Sequence, residues 1–292
     1  MKNYHQLAKS REKILQKIRA FFNANDFIEV ETPIMVKIPG SEPHLTPFET
    51  GLIVKEQSTS LYLNTSPELQ MKKLLAKGLE KIFNITKVFR NGEIYSKTHN
   101  PEFTMLEWYR KNSDYFEIMQ DTENLIKSLA GDKIIYQGKT VNLADKWDRK
   151  TTNQLFQEYL AIDLLENRDY QTFQKTAQKH SYDINGCTDW DDIFFKLFLN
   201  HIEPHLGSEK PIFVYDYPSS QAALARKKTD EPFFAERFEL YIANMELCNA
   251  FSELIDAKEQ RERLIEDQET RKKLNKTVFE IDEEFLESLE SI

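Results

Sequence analysis

The sequence predicts an α+β fold: a class of antiparallel β-sheet flanked by helices, forming a single catalytic domain over 1–292 with a helical insertion at about 151–205. Three observations carry this expectation. Strand-like and helix-like segments come in runs and do not alternate as βαβ units, which disfavours a doubly wound parallel sheet. The stretch from Thr151 to His205 turns mostly helical, while both of its flanks keep strand patterning. No Gly/Ser/Pro-rich linker interrupts the 292 residues, so one large core is favoured over two modest ones.

The elements follow in order. Ile14, Leu15, Ile18, Phe21 and Phe22 recur at helical spacing between charged residues and predict an amphipathic helix ended by Asn25-Asp26. The segment Phe27 to Thr32 alternates like a strand before Pro33, and a loop rich in Pro, Gly and Ser runs from Ile38 to Pro47. Strands are expected around 51–55 and 60–63. Ser66 is the expected N-cap of a helix over Leu69, Met71 and Leu74-Leu75 to Gly78. Strands at 82–90 and 102–111 come next, then a helix opened by a capping box of Asp114 and Glu117 and reaching about Leu129. A hairpin is expected around Gln137-Gly138. Three short helices start near Thr152, Asp169 and Thr188. Strand patterning returns at 211–217, 237–243 and 246–255, and two helices close the chain at 257–274 and 282–289.

Composition narrows the function classes. A net charge of −9 argues against a chain built mainly to hold nucleic acid, which normally presents a basic face. Cys187 and Cys248 stand far apart without metal-ligand spacing and read as reduced thiols. No apolar run reaches membrane-spanning length and no signal-peptide core opens the chain, so no membrane partner is expected and the cytoplasm is the expected address.

The most informative stretch runs from Phe89 to Arg110: a strand, a polar loop, then a strand. Its loop gathers Arg90, Asn91, Gly92, Glu93, His99, Asn100 and Phe103, a set suited to ATP. Arg90 can make paired hydrogen bonds to a phosphate or carboxylate. Glu107 and Tyr109 share a strand face, as do Asn249, Phe251 and Glu253 on another strand, and Glu68 opens a helix. Carboxylates grouped in this way imply a cation, and a substrate ammonium group serves; pairing with Arg90, Arg110 or Arg237 is the alternative. Glu239 and Glu246 flank a turn at Ala243-Asn244 and are expected to face each other across a hairpin, where two carboxylates plus ATP oxygens would hold Mg²⁺. Glu246 has the opposite parity to Asn249, so a β-bulge is expected between them.

These residues resemble the lysine branch of the class II aminoacyl-tRNA synthetases. Arg90 with the segment from His99 to Tyr109 looks like motif 2, and Phe27 to Pro33 looks like motif 1, the element that forms a homodimer in that family. The runs Ser66-Pro67-Glu68 and Met245 to Leu254 match the same branch. Within it, Leu106 to Arg110 and Phe213 to Ala225 resemble the lysyltransferases that act on elongation factor P. The resemblance implies ATP-dependent activation of lysine or (R)-β-lysine as an adenylate, and transfer to a lysine side chain of elongation factor P as protein acceptor. It also implies that Ser66, Pro67, Glu68, Glu107, Tyr109, Asn249, Phe251 and Glu253 bind the amino acid. Arg90, Asn91, Gly92, Glu93, His99, Asn100, Phe103, Glu246 and Leu247 bind ATP, with Glu239 and Glu246 on the metal and Arg90, Glu239 and Glu246 catalytic.

Three departures shape the expectation. The sequence up to motif 1 leaves no room for an anticodon-binding domain. Motif 3, a Gly-rich strand with an Asp-Arg pair opening a helix, is expected beyond Ile292, in roughly 30 further residues that one strand and one helix would use. The motif 2 loop, Asn91 to Thr98, is one residue longer than the family's usual and carries Lys97-Thr98 where the family commonly has an arginine before the histidine. Two other functions remain open at this point: a catalytic-domain lysyl-tRNA synthetase, and a non-catalytic paralogue that binds lysine or a partner.

Overall fold

A computed structural model of the chain describes residues 3–40, 42–92, 98–222 and 224–292. It is α+β, and it divides into two compact units: 1–112 together with 254–292, and 113–253.

The first unit begins with α1 (Tyr4–Ala24), capped by the Asn3 side chain, which accepts the Gln6 N–H. Its buried face carries Ile18 and Phe22. The Phe22 ring stacks on Phe83 at 4.7 Å and meets Phe27 edge-on at 5.1 Å. The strand expected over 27–32 shortens to β1 (Ile28–Glu29). Val30 still donates to the Phe83 carbonyl, but Pro33 has no N–H with which to extend a ladder. β2 (Met35–Val36), β3 (Glu49–Val54) and β4 (Gln57–Leu63) form a small antiparallel sheet, ordered β2-β4-β3.

α2 (Glu68–Ala76) follows, then β5 (Lys81–Phe89) and β6 (Glu102–Arg110), which pair antiparallel without interruption and place Asn84 opposite Glu107. β1 pairs parallel with β5. At the far end of the chain, α7 (Ala257–Lys273) and α8 (Glu283–Leu289) belong to this unit, and Lys73 of α2 bonds Asp282 and Glu284 at 2.7 and 3.0 Å.

The second unit opens with α3 (Tyr115–Ala130), whose Asp114–Glu117 capping box forms as expected. The hairpin of β7 (Lys133–Tyr136) and β8 (Lys139–Asn142) turns through Gln137 and Gly138, both at positive φ, as a two-residue hairpin turn requires. β9 (Asp148–Thr151) was not foreseen: Asp-Arg-Lys-Thr has no apolar alternation, and it becomes a strand only by pairing parallel with β10 (Ile212–Pro218). Beyond β10, β11 (Phe234–Ile242) and β12 (Met245–Phe251) pair antiparallel in the order β12-β11-β10-β9.

The insertion folds into α4 (Thr152–Leu160), α5 (Tyr170–Lys179) and α6 (Trp190–Leu197), the last running into a π-helical turn over Phe198–Ile202. The caps are Thr151, Asp169 and Asp189. The third helix starts at Trp190, two residues after the expected Thr188, because Asp189 caps it by accepting the Asp192 N–H, while Thr188 itself donates to Asp192. Phe156, Phe194 and Phe198 stack in succession at 4.9 and 5.7 Å, in one core with Ile212, Val214, Tyr217 and Tyr241 of the sheet. The insertion is therefore the apolar backing of β10 and β11. Its exit passes Gly207 (φ +69), whose carbonyl accepts the Ala243 N–H at 2.7 Å; a Cβ there would lie 2.5 Å from the Tyr241 carbonyl oxygen.

Candidate functional site

The predicted residues fall into two groups, one in each unit, and each has its own geometry.

In the first unit, Glu107 on β6 is the hub. Its carboxylate accepts the Tyr109 hydroxyl at 2.6 Å and the Ser66 hydroxyl at 2.9 Å. The i, i+2 spacing puts Glu107 and Tyr109 on one strand face as the sequence predicts. Ser66 is not the N-cap of α2. That position is Pro67, which has no side-chain oxygen, and the Ser66 hydroxyl instead accepts the Glu68 N–H at 3.0 Å while donating to Glu107.

Burial, then the nearby Glu68 carboxylate, push the Glu107 carboxyl up to about 7, against the pull of the Tyr109 and Ser66 bonds and the Lys72 charge. A cation for this acid pair is already present. Lys72, fully buried, donates to Glu68 at 2.7 Å and lies over the rings of Tyr109 and Phe285 at 5.9 and 5.8 Å. The sequence reading overlooked Lys72, although its i+4 spacing from Glu68 on a helix was legible.

Also in this unit, Arg90 leans over the Phe103 ring at 5.4 Å, with its Nε 3.4 Å from the Thr65 carbonyl. Its backbone N–H is tied to Pro101, and that of Asn91 to Thr46, so the root of the loop is anchored on both sides. Gly92 follows at φ +82 with open space around it. His99 and Asn100 are exposed, and His99 Nδ1 lies 3.0 Å from the Thr98 hydroxyl. Glu93, with 94–97, lies outside the described residues.

In the second unit, Glu239 on β11 is buried and heavily bonded. One oxygen accepts the hydroxyls of Tyr217 and Tyr241 at 2.6 and 2.7 Å, and the other accepts Arg237 at 2.7 Å. Burial and the Glu239 charge push both tyrosine hydroxyls well above their ordinary range, so they stay protonated donors. Arg237 also donates to the Gln221 carbonyl at 2.6 Å and to the Asn249 side-chain oxygen at 3.1 Å. Arg237 is thus tied to Glu239, a residue expected on the metal.

Glu239 and Glu246 do not sit opposite each other. The register pairs Glu239 with Asn249 and Tyr241 with Glu246, because Leu247 is the extra residue of a bulge. This bulge is the one that parity demanded. The turn at Ala243-Asn244 is as expected, both residues having positive φ. Glu246 and Leu247 are exposed; the Cys248 thiol between them and Asn249 is pushed up to about 12, first by burial and then by Glu246. Phe251 packs on Ala222, Ala225 and Ala235, and Glu253 continues past the end of β12 through a bridge to Ala225.

Among the described residues no group of three or more His, Cys, Asp or Glu could hold a metal by itself. Glu239 and Glu246 offer hard carboxylate oxygens, the donors Mg²⁺ uses together with substrate phosphates. Tyr217 and Tyr241 escaped the sequence reading. Tyr241 stands at i+2 from Glu239 on one strand face and was readable, whereas Tyr217 comes from the neighbouring strand and was not.

An α+β fold that holds a strand-loop-strand anchored at Arg90 and Asn91, beside a partly buried carboxylate–lysine cluster at Glu68, Lys72 and Glu107, is the frame of an amino-acid-activating ligase of the synthetase class. The chain matches the family described as tRNA synthetases class II (D, K and N) over residues 1–291, and it belongs to that family. It is similar to proteins named elongation factor P–(R)-β-lysine ligase. That of Haemophilus influenzae is 39% identical over 287 residues, covering 96% of this chain and 83% of the relative. That of Avibacterium paragallinarum is 37% identical over 284 residues, covering 97% and 84%, and that of Proteus mirabilis 38% over 291, covering 96% and 83%.

Proposed function

We propose that the chain is an ATP-dependent ligase that activates lysine, or (R)-β-lysine, as an adenylate and transfers it to a lysine side chain of elongation factor P. The observation that carries this reading is the Glu107 hub: two half-buried carboxylates with a single lysine between them, matched to one substrate ammonium group. The names of the relatives supply the acceptor.

In the first step a substrate carboxylate oxygen attacks the α-phosphorus of ATP, and pyrophosphate leaves. In the second, the acceptor amine attacks the activated carbonyl, loses a proton, and AMP leaves. No side chain needs to act as a covalent nucleophile; alignment and charge stabilisation suffice. Arg90, held by Thr65 and Phe103, is assigned to the phosphates. Asn91, Gly92, Glu93, His99, Asn100, Phe103 and Leu247 are assigned to ATP. Ser66, Pro67, Glu68, Glu107, Tyr109, Asn249, Phe251 and Glu253 are assigned to the amino acid. Mg²⁺, when bound by Glu239 and Glu246, neutralises phosphate charge. For Glu239 to take part, Arg237 has to yield one carboxylate oxygen. The cytoplasm and a homodimer through the 27–33 segment complete the reading. Among the described residues no helix is long and apolar enough to cross a membrane.

The test is lysine-dependent ATP–pyrophosphate exchange with α-lysine and (R)-β-lysine, beside Arg90→Ala. Exchange by the parent chain and its loss by at least a hundredfold in a folded Arg90→Ala variant are expected. Transfer of label to purified elongation factor P and not to tRNA-Lys supports the protein acceptor; the reverse overturns it in favour of a tRNA ligase.

A further inference from the structure

The two oxygens of the Glu239 carboxylate are held unequally. Oε2 accepts two hydroxyls, from Tyr217 at 2.6 Å and Tyr241 at 2.7 Å, whereas among the described residues Oε1 accepts a single donor, Nη2 of Arg237 at 2.7 Å. A carboxylate oxygen offers about two lone-pair sites, so Oε2 is filled. Both tyrosines are buried in the core that the insertion builds, where no solvent competes for their hydroxyls. Arg237 is placed differently. When its Nη2 bond yields, Nε still donates to Asn249 at 3.1 Å and Nη1 to the Gln221 carbonyl at 2.6 Å, with the guanidinium 4.7 Å from the Tyr217 ring centre. Oε1 is therefore the oxygen that can be released, and Oε2 is not.

Tyr241 reaches Glu239 by ordinary strand alternation, two residues along β11. Tyr217 does not. Val214 is the β10 residue opposite Glu239, and in a regular strand a step of three residues would put Tyr217 on the other face. The register shifts between Tyr215 and Tyr217, at Asp216, which is buried and has φ +57. That irregularity returns Tyr217 to the face of Val214. Three bonds hold Asp216 in its uncommon conformation. Its carboxylate accepts the Tyr115 hydroxyl and the Lys228 ammonium, each at 2.7 Å, and its carbonyl accepts the Thr152 hydroxyl at 2.6 Å.

We propose that Tyr217 and Tyr241 are positioning residues that restrict Glu239 to a one-oxygen ligand, through Oε1, and so favour Mg²⁺ over Ca²⁺ at this site. This rests on the reading of Glu239 as a ligand to Mg²⁺. Mg²⁺ demands near-octahedral geometry at about 2.0–2.1 Å, which the narrow bite of a two-oxygen carboxylate does not fit. Ca²⁺ is larger, takes about six to eight oxygens in flexible geometry and readily uses both oxygens of one carboxylate. Two hydroxyls on Oε2 deny Ca²⁺ that second oxygen and leave the Mg²⁺ mode intact.

The experiment is calorimetric titration of the full chain with α,β-methylene-ATP, which cannot release pyrophosphate, in saturating Mg²⁺ and separately in saturating Ca²⁺. It is run on the parent, Tyr217→Phe, Tyr241→Phe, the double variant and Glu239→Gln. The quantity read is the ratio of the Ca²⁺ to the Mg²⁺ dissociation constant. The parent is expected to bind the Mg²⁺ form more tightly. In the double variant the ratio is expected to fall at least tenfold, with each single variant part of the way. Phenylalanine keeps both rings in the core, and a merely structural loss would weaken both forms alike; an unchanged ratio overturns the proposal. Glu239→Gln is expected to weaken both forms at least tenfold. If it binds both as the parent does, the metal assignment of Glu239 falls and the proposal with it; if it weakens both while the phenylalanine variants leave the ratio unchanged, the proposal alone falls. Infrared difference spectra of the parent against Glu239→Gln need no tyrosine variant. The separation of the two carboxylate stretches widens for one-oxygen and narrows for two-oxygen ligation, and widening with both metals is expected. Narrowing with Ca²⁺ in the parent overturns the proposal.

Discussion

Replacing Glu107 by glutamine tests the electrostatics of the predicted lysine pocket directly. Glutamine keeps the size of the side chain and an acceptor oxygen for Tyr109 or Ser66, and removes only the charge. The Glu107 carboxyl stands at about 7 in the folded chain, above an ordinary 4.5. Below the lower value it is protonated in both folded and unfolded states and contributes no pH dependence. Between the two values the unfolded chain releases the proton while the folded chain keeps it, so stability falls as pH rises. Above the higher value both states are ionised and the loss is complete, at most about 3 kcal/mol. The difference in urea-unfolding free energy between Glu107→Gln and the parent, measured from pH 4 to pH 8, is therefore expected to shift in favour of the variant by about that amount. Saturating lysine is expected to reverse the trend in the parent, because its ammonium group stabilises the ionised carboxylate. A difference that stays flat across this window would show that Glu107 is not held protonated by burial and by Glu68, and would refute the reasoning.

Two further outcomes are expected. Lys72→Met keeps the apolar contacts to Tyr109 and Phe285 but strands Glu68, which should cost about 3–5 kcal/mol in chemical unfolding. Much of that loss should return in the double variant with Glu68→Gln, and additive losses would speak against a coupled pair. Gly207→Ala would place its Cβ 2.5 Å from the Tyr241 carbonyl oxygen at a positive φ, so a fall in thermal midpoint of about 8 °C or more is expected for a loss of some 3 kcal/mol. A midpoint within a degree of the parent would mean that the insertion can move away from β11 at little cost.

Much of the local structure around the candidate residues was legible in the sequence because its signals are local. The alternation that joins Glu107 to Tyr109, the parity conflict that demanded a bulge before Asn249, the capping box at Asp114 and the two-residue hairpin turns depend only on neighbours along the chain. The helical character of 151–205 was readable from its periodicity, but its purpose was not. That purpose appears only when Phe156, Phe194 and Phe198 are seen stacked in a core with Tyr217 and Tyr241, the residues that hold Glu239.

The chain by itself determined the class of fold, most of the order of elements, the family and the choice of candidate residues, since each rests on residue type and spacing. The tertiary structure decided which cation answers which carboxylate. Lys72 serves Glu68, and Arg237 and two tyrosines serve Glu239. It also decided that Glu239 faces Asn249 rather than Glu246, and that the charged stretch Asp148–Thr151 becomes a strand. The reason is physical: pattern and propensity act over a few residues, whereas charge pairing, desolvation and strand register depend on groups that only folding brings within reach.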